Sequence, residues 1–110
     1  MTEPRQIFLY QTVAGHIPFE EWLEALIDQT ARAKIRVRLG RLSDGHWGDF
    51  KSVGHGVFEL RIHWGPGYRV YFGLRGIDFV ILLSGGDKRR QQDDIQKAQD
   101  YWQDYLGRVK

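Results

Sequence analysis

Arg61 and Arg69 flank a Gly65-Pro66-Gly67 turn, each within a stretch where apolar and polar residues alternate, and a basic run, Lys88-Arg89-Arg90, follows. A guanidinium is a planar fork that grips two oxygens of a phosphate or carboxylate and keeps its charge at any physiological pH. Residues 51–90 hold seven basic side chains (Lys51, Arg61, Arg69, Arg75, Lys88, Arg89 and Arg90) against three acids (Glu59, Asp78 and Asp87). That is an excess of four, where the whole chain carries a net charge of +2. Positive charge gathered on one part of a small domain points to a polyanion as partner. The chain has no cysteine, which removes disulfides, thiolate zinc sites and cysteine nucleophiles together. It has no HxxxH, HExxH or aspartate-rich spacing, so no metal ion and no other cofactor is expected.

For these arginines to act together, strands must present them on one surface. Residues 57–64 set Phe58, Leu60, Ile62 and Trp64 on one face and Val57, Glu59, Arg61 and His63 on the other. Residues 68–74 do the same, with Tyr68, Val70, Phe72 and Leu74 opposite Arg69 and Tyr71. Period-two alternation marks half-buried strands, and the glycine-rich turn joins them as a hairpin. A two-residue loop would set Ile62 opposite Arg69 and drive an arginine into the core. A three-residue loop pairs Ile62 with Val70, Arg61 with Tyr71 and His63 with Arg69, and is the register expected. Glu59, Arg61, His63, Arg69 and Tyr71 then share one sheet surface.

The remaining elements follow from pattern. Residues 5–12 read as a first strand. Pro18 opens a helix with Glu20 and Glu21 in its first turn and an apolar stripe of Phe19, Trp22, Leu23 and Leu26. A second helix runs from about Thr30, as N-cap, to about Leu42, with a seam of Ala31, Ile35, Leu39 and Leu42. Its other positions hold Arg32, Lys34, Arg36, Arg38 and Arg41. Glu20, Glu21, Glu24 and Asp28 of the first helix are available to face them across an αα-hairpin. Residues 78–84 are apolar on both faces and read as a central strand, ended by Gly85-Gly86. A last helix starts near Gln91 and buries Ile95, Ala98, Trp102, Tyr105 and Leu106. The order is βααβββα, an α+β arrangement.

At 110 residues, with 42% hydrophobic residues and 14% aromatics, the chain suffices for one domain spanning residues 1–110 with a core of its own. The opening MTEPRQIFLYQT lacks the apolar run of a signal peptide, and the longest apolar stretch, residues 79–83, is far short of a membrane span. A soluble, cytoplasmic protein is expected.

The motifs GVFELRI, GPGYRVYF and GGDK occur in order within residues 48–94, and the upstream segment FEEWLEALIDQTARAKIRVRLGRL is of the same type. Together they resemble the addiction-module killer proteins, the HigB-like branch of the RelE/ParE toxins, over nearly the whole chain. The resemblance implies a mainly antiparallel sheet with helices packed on one face and an RNA-binding groove on the other. It implies a toxin of a type II toxin–antitoxin module, an endoribonuclease (mRNA interferase) that inhibits translation. RelE-type members cut mRNA in the ribosomal A site without metal, by attack of the ribose 2′-OH on the adjacent phosphate. A small antitoxin, in this branch usually a HigA-like helix-turn-helix protein, neutralises them. Carried over by motif, Arg69 contacts the scissile phosphate, Arg61 is the arginine of the ELR stretch, Lys88 follows the last strand's glycines, and Lys51 precedes the hairpin. The chain departs from some RelE-type enzymes in having Asp93-Asp94 where they carry a functional tyrosine.

Cleavage through the 2′-OH needs a base for that hydroxyl, cationic donors for the phosphorane and an acid for the 5′-oxygen. Arg61 and Arg69 suit the second task. A lysine crowded by other cations titrates lower than usual, which makes Lys51 and Lys88 candidates for proton transfer, with His55 and Glu59 competing as base. Tyr71, Arg89 and Arg90 complete the candidate RNA-binding set. Plainer readings stand beside these. Arg61, Tyr71 and Glu59 also fit a solvated sheet face, and His63 reads as structural. Trp22, Trp102 and Tyr105 read as core. The basic second helix reads as a solvated face, or as a docking surface for rRNA or antitoxin. A ParE-like toxin acting on DNA gyrase and a phage-derived binding protein without activity are the alternative functions.

Overall fold

The alternating stretches become neighbouring strands of a five-stranded sheet in a computed structural model, which describes residues 4–109. Its elements are β1 (Gln6–Leu9), α1 (Pro18–Ala25), α2 (Gln29–Ser43), β2 (Phe50–Gly54), β3 (Val57–Ile62), β4 (Tyr68–Arg75), β5 (Phe79–Asp87), a 3₁₀ turn (Lys88–Arg90) and α3 (Gln91–Arg108). The sheet order is β1-β5-β4-β3-β2, with β1 parallel to β5 and the other pairs antiparallel. This is the α+β class expected, with one strand more. Strand β2, FKSVG, is an edge strand with four of its five residues exposed, so it carries none of the alternation that marks its neighbours.

One sheet face sets Leu60, Ile62, Val70, Phe72, Val80 and Leu82 against Phe19 and Leu23 of α1 and Ala31, Ile35 and Leu42 of α2. The other sets Val57, Tyr71, Ile81 and Leu83 against Ala98 and Trp102 of α3. Helices therefore cover both faces, and the single covered face implied by resemblance holds for α1 and α2 alone. The cause lies in β5: Val80, Ile81, Leu82 and Leu83 are all buried, and a strand apolar on both sides needs a layer on each. Leu106 of α3 stays exposed, so the buried seam of that helix is shorter than its apolar pattern.

Gly85 and Gly86 do not end β5; the strand runs through them to Asp87. A Cβ at Gly85 would overlap the Trp22 ring, and one at Gly86 the Asp94 carboxylate. These glycines are there for close approach of helix side chains to the strand. The N-cap of helix α2 lies two residues earlier than expected. The Asp28 carboxylate, not Thr30, accepts the backbone N–H groups of Thr30 (2.9 Å) and Ala31 (3.1 Å), the usual service of an N-cap acid. Among the described residues no ion pair joins α1 to α2. Instead Arg38 donates to the carbonyls of Trp47 (3.1 Å) and Asp49 (3.2 Å), and Lys34 lies over the Trp64 ring at 4.6 Å. The basic helix spends these two cations holding the loops at one end of the sheet.

Candidate functional site

The hairpin between β3 and β4 closes through five residues, 63–67, not three. Ile62 pairs with Tyr68, Arg61 with Arg69, Leu60 with Val70 and Glu59 with Tyr71. The register differs by two residues from the expected one, so every side chain keeps its face and changes its partner. Left-handed backbone at Gly65 (φ 55°) and Gly67 (φ 83°) makes the longer loop possible, since only glycine enters that region freely. Two bonds set its shape, Trp64 N–H to the Ile62 carbonyl (3.0 Å) and Gly67 N–H to the Trp64 carbonyl (3.1 Å).

This register puts two arginines directly opposite each other, an arrangement that is unfavourable unless each finds an anion. Both do. Arg61 Nη2 lies 3.0 Å from Asp49 Oδ1. Arg69 Nε lies 3.4 Å from Glu59 Oε2, an ion pair without hydrogen-bond alignment, which leaves that Nε unpartnered. Glu59 is fully buried and accepts from the Tyr71 hydroxyl (3.1 Å) and Gln91 Nε2 (2.9 Å). Burial, then the neighbouring Glu59 charge, pushes the Tyr71 phenol well above its ordinary value, so Tyr71 stays a proton donor to the carboxylate.

The Gly67 carbonyl gathers the third cation. It accepts Arg69 Nη1 (3.2 Å) and the backbone N–H of Lys88 (3.1 Å), so the start of the 3₁₀ turn sits beside the Arg69 guanidinium. Arg61, His63, Arg69 and Lys88 then line one groove of about 410 Å³ with the 64–67 loop. His63 Nε2 lies 2.5 Å from Asp49 Oδ2. The hydrogen bond from His63, followed by the Arg61 charge, holds the Asp49 carboxyl below the ordinary aspartate range.

Of the residues expected at a site, Arg61, Arg69 and Lys88 are brought together. Glu59 and Tyr71 share their sheet face but lie buried beneath α3, so they support Arg69 from behind and are closed to a ligand. Lys51 is exposed on edge strand β2, across from Glu59, and stands outside the groove lining. His55 is exposed at the β2–β3 turn, with φ 53°. That turn is at the opposite end of β3 from the groove, roughly 17 Å away at strand rise. Arg89 is exposed and folded back on Asp87 at 2.9 Å; its hydrogen bond holds the Asp87 carboxyl low. Arg90 lines a different cavity, beside Asp94 and Trp22. Asp49 and Gln91 are the groove-building residues that pattern reasoning passed over. Asp49 lies in a loop with no periodicity and with no arginine near it in sequence, so pattern gives it no signal. Among the described residues no group of three or more His, Cys, Asp or Glu is placed to hold a metal ion, and no helix is long and apolar enough to cross a membrane.

By fold and site this is a small α+β domain with a cationic groove across the mouth of its central hairpin. The family described as "Phage derived protein Gp49-like (DUF891)" matches residues 21–102, a span that includes every residue of the groove. The chain belongs to that Gp49-like family. An uncharacterized protein of Haemophilus influenzae (strain ATCC 51907 / DSM 11121 / KW20 / Rd) is 50% identical over 82 residues, covering 74% of this chain and 83% of that protein.

Proposed function

We propose that this chain is a toxin of the HigB-like branch of the RelE/ParE superfamily, a cytoplasmic, metal-independent endoribonuclease that cuts mRNA on the ribosome and is neutralised by a HigA-like helix-turn-helix antitoxin. The observation that carries the reading is the convergence of Arg61, Arg69 and Lys88 on one groove, three cations from three separate stretches of chain. Arg61 and Arg69 grip the phosphate that the ribose 2′-OH attacks, and their contacts tighten as charge develops on its oxygens. Lys88 protonates the departing 5′-oxygen. The products are a 2′,3′-cyclic phosphate and a 5′-hydroxyl.

Induced expression followed by mapping of mRNA 5′ ends tests this reading. Cuts in phase with codons are expected from the wild type. Arg69→Ala, with unchanged circular dichroism, loses roughly 100- to 1000-fold in cleavage rate. Intact mRNA with lost plasmid supercoiling would turn the assignment to a gyrase poison, and a folded Arg69→Ala that cuts at the wild-type rate would remove Arg69 from the mechanism.

A further inference from the structure

The groove holds a fourth ionisable group, and its setting is more elaborate than a surface histidine needs. His63 has a side chain 75% exposed, yet its ring is held by Nε2 against the Asp49 carboxylate and makes no other hydrogen bond among the described residues. Asp49 is itself fixed from four directions. Its carbonyl accepts the Arg61 backbone N–H (2.9 Å) and Arg38 Nη2 (3.2 Å), while its carboxylate takes Arg61 Nη2 and His63. Gly48, at φ 64°, lets the Arg38 guanidinium lie across this loop where a Cβ would collide with it. Arg38 is partly buried, and burial lowers its pKa. A chain of fixed groups therefore runs from α2 through Asp49 to an imidazole that stands over the groove.

We infer that His63 is the general base for the 2′-hydroxyl and that Asp49 is its positioning residue. This rests on the nuclease reading above. With Nε2–H donated to Asp49, the lone pair is on Nδ1, the nitrogen left free. Nδ1 takes the proton of the 2′-OH as its oxygen bonds to phosphorus. The bond from phosphorus to the 5′-oxygen breaks, and that oxygen takes a proton from Lys88. Solvent then returns one proton to Lys88 and removes one from His63, so the cycle closes without a metal or redox partner. Imidazole suits the task because one ring nitrogen can donate to a carboxylate while the other accepts a proton. The charged groups around it are Asp49 and Arg61 from the same sheet end, Arg69 and Lys88 across the groove, and Lys34, Arg38 and Arg41 from α2, which line the adjoining groove that His63 also borders.

Single-turnover cleavage by the full-length protein, on whichever substrate the wild type cuts (free or ribosome-bound mRNA), tests the inference across pH 5–9. His63→Ala and His63→Gln are expected to fold normally and lose roughly 100- to 10,000-fold in rate. Both should lose the wild-type fall in rate on the acid side, and added imidazole should restore activity to His63→Ala. Asp49→Asn should slow the wild type but cost less in the His63→Ala background, since the two act as a unit. A His63→Gln variant that cuts within a few-fold of wild type with the same acid limb overturns His63 as base and leaves the nuclease reading standing. A wild type that cuts no RNA overturns both.

Discussion

Glu59 is a carboxylate at 0% exposure with one oxygen bonded by Tyr71 and Gln91 and the other without a partner. A buried charge of this kind is costly unless a counter-charge lies near, and Arg69, with a side chain 12% exposed, is that counter-charge. The pair explains why an arginine at the mouth of a groove has so little freedom. Its guanidinium is fixed by Glu59 on one side and the Gly67 carbonyl on the other, which is the preorganisation that phosphate binding in a transition state rewards. Tyr71→Phe removes one of the two donors to Glu59 and nothing else of size. Leaving that buried acceptor short should cost about 1–3 kcal/mol, read as a lower midpoint in urea with unchanged slope. RNA cleavage should fall with it. Equal midpoints for the two proteins would mean that water already serves Glu59, and that the Tyr71 bond does not hold Arg69 in place.

At the scale of elements, the hairpin and the turn after β5 meet through backbone, at the Gly67 carbonyl, and this is what brings Lys88 to the arginines. Alternation along residues 57–74 was enough to assign β3 and β4 and the face of each side chain, because burial on one side forbids a one-residue slip. It was not enough to tell a three-residue loop from a five-residue one. The two registers keep the same residues in the core, and the difference lies in the left-handed backbone of Gly65 and Gly67. The end of β5 was illegible for a similar reason: a glycine pair reads as a breaker, whereas here Trp22 and Asp94 occupy the space of the missing side chains. Gly85→Ala tests this directly. Forcing a methyl against the Trp22 ring should cost about 1–3 kcal/mol, seen as a lower Tm, and Trp22→Ala should relieve part of that penalty in the double variant. If Gly85→Ala melts at the wild-type temperature, α1 does not pack on β5 through that contact.

For the whole molecule, helices on both faces leave the sheet few open surfaces, and the groove lies at one end, where the β3–β4 loop, the 3₁₀ turn and α2 converge. Of the four residues matched by motif, Arg61, Arg69 and Lys88 line the groove and Lys51 stands outside it. Alternation put Glu59 and Tyr71 on the sheet surface that α3 covers. Which face the last helix takes depends on contacts across the chain, such as Trp102 against Gly56 and Gly73, and not on its own apolar pattern. The central claim is that this groove cleaves RNA through the 2′-hydroxyl with the chain's own side chains. The most direct measurement is the chemistry of the cut ends, on mRNA incubated with purified protein and ribosomes. The account predicts cleavage that leaves a 2′,3′-cyclic phosphate and a 5′-hydroxyl, and that disappears when 2′-deoxy sugar is placed at the cut site. Ends bearing a 3′-hydroxyl and 5′-phosphate, or undiminished cutting at a 2′-deoxy sugar, would contradict it.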